Sequence, residues 1–459
     1  MKKITALFCL GAILFASCKK SDDLPDPGTG NNGGDTTSSS GEIRGVISTD
    51  QHWTKDKVYR LRGYVYVTSG ATLTIDAGTK IVSNKDSAGV LIIYRTAKIM
   101  ANGTAAEPIV FTSNETTPSP GDLGGVVLVG QAKVNGNHGV IEGGVDPSYS
   151  VFGGTDNADN SGVLKYVRIE YAGKAVNPGD EVNGLSLYGV GSGTTIDYVQ
   201  VVRGLDDAFE FFGGTVNCKH LIAYNSADDD FDMDDGYSGK IQYAISVKDP
   251  AFTDPKGTTG DISNNFEVDN VNPSNGFQLS RAPFTYPVLS NFTAVGPNNA
   301  ANTSADYGFG MRWRRGAKFI LANSIVMGGQ KAGLDIEQDS TASYYVQGVS
   351  QFYNSFLHAH ASPFRVAATG TFLDSTALST LTLTNYKSQL FANADEIKLT
   401  DPFNNAAPNL KPLAASPALT TAAKFDAGTL SDAFFDKVTF IGALDAANDW
   451  TAQWAVWGK

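Results

Sequence analysis

Cysteine is scarce in this chain, with three in 459 residues. Cys9 lies inside an amino-terminal apolar run and Cys18 directly behind it. That leaves Cys218, and a single thiol cannot close an internal disulfide, so a disulfide-stapled scaffold is excluded. Its place between Asn217 and Lys219, inside a repeat, marks a structural thiol rather than a nucleophile. Positive charge is scarce too: 35 Lys and Arg stand against 47 Asp and Glu, a net charge of −12. Tight binding to phosphate backbones needs clustered cations, so nucleic acid is excluded as a partner, and an acidic surface suits cations or neutral glycans better. Beyond residue 17 no apolar run approaches the length of a membrane span, which excludes a self-contained channel or transporter. Of the five histidines, His358 and His360 stand two apart in a strand-like segment with no evident third ligand. His52, His138 and His220 read as isolated surface or packing residues.

What the chain has in quantity is glycine, 49 residues, with 18 prolines and 10% aromatics. That is the profile of an extracellular all-β protein with many turns. Residues 1–17 read as a signal peptide, with Lys2 and Lys3 as its basic head and Ile4 to Phe15 as an apolar stretch too short for an anchor helix. The phrase Leu14-Phe15-Ala16-Ser17-Cys18 resembles a bacterial lipobox, which makes Cys18 the expected lipidation site. Lys19-Lys20-Ser21-Asp22-Asp23 resembles the acidic export tags of surface-displayed lipoproteins in some Gram-negative bacteria. The expected location is therefore the outer membrane, facing outward, with lipid as the only membrane contact. Residues 18–40 form a polar tether, an ordered body is expected over 41–361, and irregular coils with a cap over 362–459.

The body is organised around residues 203–247. Arg203-Gly204-Leu205-Asp206-Asp207-Ala208-Phe209-Glu210-Phe211-Phe212-Gly213-Gly214 returns after 22 residues, with Asp206 matching Asp228, Phe209 matching Phe231 and Glu210 matching Asp232. Leu221-Ile222-Ala223 matches Tyr243-Ala244-Ile245 at the same offset. Leu185 to Gly189 matches Phe209 to Gly213 at 24, and Leu164 to Ile169 matches Ile196 to Val201 at 32. Short β-type phrases at a period in the low twenties, with insertions confined to loops, are the mark of a parallel β-solenoid. Period-2 alternation and abundant Gly exclude a helical repeat. A Gly-rich insertion near 131–160 reads as a recognition loop or surface decoration. Trp53 with Tyr59, and Trp450, Trp454 and Trp457, read as caps for the two open ends.

Three phrases carry a family resemblance: Pro108-Ile109-Val110-Phe111-Thr112-Ser113, the run Gly162 to Gly173, and the run Gly193 to Val201. Together they resemble a widespread set of bacterial surface lipoproteins, largely uncharacterised. Leu123 stands where that set often has Trp. The resemblance covers nearly all of 41–459 and implies a right-handed parallel β-helix of the pectate-lyase-like type. It implies little about activity, because such helices host lyases, hydrolases, adhesins and binding modules alike.

Alternation along the repeated strands assigns faces. Phe209, Phe211, Phe231 and Met233 are expected inside. Outside, two columns are expected along one sheet: Ser186, Glu210, Asp232, Glu267, Arg312, Asp335, and beside it Tyr188, Phe212, Asp234, Asp269, Arg314, Glu337. Carboxylates on coils about 4.8 Å apart repel by roughly 1 to 3 kcal/mol per pair. A cation, protons or the arginines must offset this, unless the column is simply a solvated ridge. Calcium fits an all-oxygen site, with Glu210, Asp228, Asp230, Asp232 and Asp234 as ligands. The leading expectation is a monomer that binds an extracellular polymer, a glycan above all, without turnover. Tyr188, Phe212, Glu267, Asp269, Arg312, Arg314, Asp335 and Glu337 would form its binding face. The alternatives are a calcium-dependent polysaccharide lyase or glycoside hydrolase drawing on Asp232, Asp234, Arg312 and Arg314, or a structural or adhesive protein with a protein partner.

Overall fold

The computed structural model describes residues 41–177, 180–253, 262–370 and 373–459. Nearly all strands join one 26-stranded sheet whose pairings are parallel and link each coil to the next, while two small antiparallel pairs stand apart. The protein is an all-β parallel β-helix.

The expected register is present along one face. Leu185–Tyr188, Phe209–Phe212, Phe231–Asp234, Phe266–Val268, Phe309–Trp313 and Ala332–Glu337 stack in order. Phe209 pairs with Phe231, and Glu210 with Asp232. Phe209, Phe211, Phe231 and Met233 are wholly buried. The interior rings continue from coil to coil, Phe209 to Phe231 at 5.4 Å and Phe231 to Phe266 at 5.5 Å between centroids. Each such ring contributes about 1.5–3 kcal/mol of burial, so a one-residue slip that turned them outward would be prohibitive.

On the neighbouring face the expected match of Leu221 with Tyr243 is corrected by one residue: Leu221 pairs with Ala244 and Ile222 with Ile245. The extra residue lies in the turn that leads into this face, since Phe212 pairs with Asp234 at an offset of 22 but Cys218 pairs with Ile241 at 23. Inside these strands Tyr166, Tyr198, His220 and Tyr243 occupy equivalent corners with φ of 51–64°.

Two covers complete the body. Trp53 stacks on Tyr59 at 4.8 Å and is fully buried in the first coils. The carboxy-terminal tryptophans do not close the far end. Trp454 packs with Val202, Ile222, Tyr224 and Ile245, and the backbone there accepts from Arg168 and Gln200. The tail thus runs along the flank of earlier coils. At the far end Tyr345, Leu378 and Tyr386 seal the interior instead, and parallel pairing persists as far as Gln389–Leu390. Among the described residues no helix is long and apolar enough to cross a membrane.

Candidate functional site

The outward columns divide into three environments. The first is apolar and covered. Tyr188 and Phe212, expected on the surface, are buried and stacked face to face at 4.0 Å. The insertion lies over them, bringing Ile141 and Phe152 into the same apolar cluster. Gly189 and Gly213 have positive φ, and a Cβ on Gly213 would come within 2.6 Å of Val134 in the insertion. Close approach therefore requires glycine here. These two rings anchor the insertion and offer no open platform to a glycan.

Asp234 belongs to the same clasp. Its Oδ2 accepts from Asn137 Nδ2 at 3.0 Å, and His138 Nδ1 lies 3.0 Å from Asp235 Oδ1. Burial opposes protonation of His138, but the hydrogen bond to Asp235 and the charges of Asp235, Asp234 and Glu142 outweigh it and raise the imidazole to about 9. His138 is thus a working part of the clasp rather than an isolated residue.

The second environment is acidic. Three sets of carboxylates each bring ligand atoms within 4.8 Å of one another: Asp206, Asp207 and Asp228; Asp207, Glu210 and Asp232; Asp229, Asp232 and Glu267. Asp207 and Asp232 are shared, so the sets form one continuous chain. A ladder along the adjoining turns holds it in place. Asn183 Oδ1 accepts from Asp207 N–H at 3.2 Å, Asp207 Oδ1 accepts from Asp229 N–H at 2.8 Å, and Asp229 Oδ1 accepts from Asn264 N–H. Asn183 also donates to Glu210. Asp207, Asp229 and Glu267 are buried, whereas Asp206, Glu210, Asp228 and Asp232 keep an edge in solvent.

Burial raises both Glu210 and Asp232 well above the usual carboxylate range. Neighbouring charge raises them further, from Glu142 and Asp207 at Glu210 and from Asp207 and Glu267 at Asp232. Oδ1 of Asp232 is buried without a hydrogen-bond partner among the described residues. An orphaned carboxylate oxygen inside an acidic cluster is what a hard cation with six to eight oxygen ligands would complete. The donor set, all carboxylate oxygen, fits calcium.

Two expected ligands fall elsewhere. Asp230, placed outside by simple alternation, points into the coil, with Oδ1 3.1 Å from Lys248 Nζ and Oδ2 accepting from Ser246. The strand begins at Phe231, so alternation does not govern the residue before it. Asp234 is taken by the insertion. Asp206, Asp207 and Asp229 are the residues that strand alternation missed. Their signal was the acidic pair recurring at the repeat offset, 206–207 and 228–229.

The third environment is an ion-pair network. Arg312 Nη1 binds Glu267 Oε2 at 2.8 Å and its Nε binds Glu337 at 3.2 Å. Arg314 Nε binds Asp269 at 2.8 Å, its Nη2 contacts Glu267, and Arg315 reaches Asp269 at 2.6 Å. Arg365 binds Asp335 at 2.7 Å. Burial nonetheless lifts Asp335 to about 7. At Glu337 burial also acts upward, but Arg312 and its other partners outweigh it and bring the group below its ordinary value. Two carboxylates on each of Arg312 and Arg314 favour the charged guanidinium and oppose the neutral form a base would need.

The stacked parallel coils define the class, a parallel β-helix. The chain belongs to the pectate-lyase-like beta helix domain family, whose profile matches residues 45–399. No curated protein and no solved structure matches it.

Proposed function

We propose that this protein binds an extracellular polysaccharide without turnover, through a calcium-loaded carboxylate chain, while lipid on Cys18 holds it at the outer membrane surface. The observation that carries the reading is the buried, unpartnered Oδ1 of Asp232 at the junction of two carboxylate sets. Membership of a pectate-lyase-like family supports a polysaccharide ligand. Bound calcium would neutralise the cluster and attract carboxylate or hydroxyl oxygens of a glycan. Glu210 and Asp232 would hold it at the solvent edge, with Asp207 and Asp229 fixed behind them by backbone N–H groups. Binding is favoured over lysis because Arg312 and Arg314 are engaged by Glu267, Asp269 and Glu337.

A glycan array probed in millimolar calcium and in chelator tests this reading, with product analysis on every hit. Calcium-dependent capture of intact polysaccharide is expected. Unsaturated or shortened products would replace binding by lyase or hydrolase activity. Absence of any glycan in both conditions would overturn the assignment.

A further inference from the structure

A second ligand-sized space lies away from the carboxylate chain, between the bent strands and the carboxy-terminal segment. At four successive coils the bend residue is aromatic: Tyr166, Tyr198, His220 and Tyr243. Their rings stack at 4.3, 4.1 and 5.0 Å with interplanar angles of 10–14°. All four have positive φ, a conformation that is uncommon for bulky side chains.

The same corner on later coils carries Asn291, Asn323 and Asn354, also at positive φ. Asparagine tolerates that conformation. These three are buried, and each donates to the backbone of the carboxy-terminal segment: Asn291 to Phe440 and Gly442, Asn323 to Lys424, Asn354 to Ala422. Where the corner is asparagine, the segment sits directly on it. Where the corner is aromatic, the segment stands off and leaves a cleft of about 560 Å³, within the range of roughly 300–1,000 Å³ usual for small-molecule sites.

The opposite wall carries Asp436, Asp445, Asp449, Phe440 and Trp450. Trp450 meets His220 and Tyr198 edge to face and keeps part of its surface exposed. Asp436 is paired with Lys219 at 2.8 Å and His220 with Asp197 at 2.7 Å, while Asp445 and Asp449 form no salt bridge among the described residues. Phenol groups and carboxylates facing an indole make a surface that exchanges hydrogen bonds with hydroxyls and packs against C–H faces, and its net negative charge repels anions.

We infer that this cleft is a saccharide subsite for a short sugar without negative charge, separate from the calcium-dependent face and independent of it. A uronate would be rejected here for the same reason that a cation-loaded carboxylate chain would attract it there.

The experiment is calorimetric titration of the full chain in EDTA with maltotriose, the trisaccharide of glucosamine, and trigalacturonate, with tryptophan fluorescence followed in parallel. Binding of the uncharged or the amino-bearing sugar is expected, with trigalacturonate at least tenfold weaker. Preference for the amino-bearing arm narrows the ligand to a cationic sugar. Tyr198→Asn places at this corner the residue that later coils use, so the fold is retained, and binding should weaken at least tenfold. Tyr243→Phe keeps the ring and should weaken it several-fold. No binding of either sugar at millimolar concentration, unchanged binding in Tyr198→Asn with an unchanged melting temperature, or a preference for trigalacturonate would each overturn the proposal. Because chelator is present throughout, failure here leaves the calcium-dependent reading intact, and the reverse also holds.

Discussion

Glu210 and Asp232 stand in direct register on consecutive coils and, with Asp207, bring three carboxylates within 4.8 Å. Charges at that separation repel by about 1 kcal/mol in water and three to four times more at an effective dielectric near 20. Calcium that binds only the folded state should add about 2.7 kcal/mol of stability at a hundredfold excess over its dissociation constant. Asp232→Asn should abolish most of that gain while raising the stability of the calcium-free protein. Thermal melts of both proteins in chelator and in millimolar calcium check this. A wild-type midpoint insensitive to calcium would remove the metal.

Buried carboxylates set the pH dependence of the calcium-free protein. Glu210, Asp232 and Asp234 have folded-state values well above the ordinary range, Asp230 is raised to about 6 and Asp335 to about 7. Between about pH 4, where unfolded carboxylates titrate, and about pH 7, the folded state binds more protons than the unfolded. Stability must therefore fall as pH rises through that window. Chemical denaturation in chelator at intervals from pH 4 to 8 should show the decline, and millimolar calcium should flatten its upper part.

The insertion is a docked cover whose hold can be measured. Phe212→Ala removes a wholly buried ring beneath it and should cost about 3–5 kcal/mol, with new protease cleavage concentrated in residues 131–160. His138 acts in the same pH sense as the carboxylates but in a higher window. Its pKa is raised from 6.5 to about 9, so its contribution is complete below pH 6.5 and is lost as pH climbs through 9. Cleavage within 131–160 should accelerate between pH 7 and 10, and His138→Ala should remove that acceleration by making the segment sensitive at pH 7.

The proposed lipid anchor follows from the phrase Leu14 to Cys18. Cys18→Ala should release the protein from the membrane fraction or leave its signal uncleaved, and fractionation with mass analysis of the amino terminus reads both. A variant that processes and fractionates like wild type would exclude lipid attachment at this residue.

How much of this was legible beforehand depended on how local the physics is. Period-2 alternation, turn glycines and a repeat near 22 residues specify parallel coils, because each coil repeats the same backbone problem. Hence Phe209 over Phe231 and Glu210 over Asp232 followed from sequence alone. Where a strand bends or ends, alternation stops applying. An extra residue in the turn between Asp234 and Ile241 shifted the neighbouring register by one, and Asp230, just outside its strand, turned inward to Lys248. Whether an outward position meets solvent was not a local matter at all. Tyr188 and Phe212 point away from the coil as their spacing requires, yet the insertion, some 40–70 residues earlier in the chain, covers them. Likewise the tail tryptophans returned to the flank of coils more than 200 residues upstream. Sequence periodicity determined which side of the sheet each residue occupies; only long-range packing decided which of those residues remain within reach of a ligand.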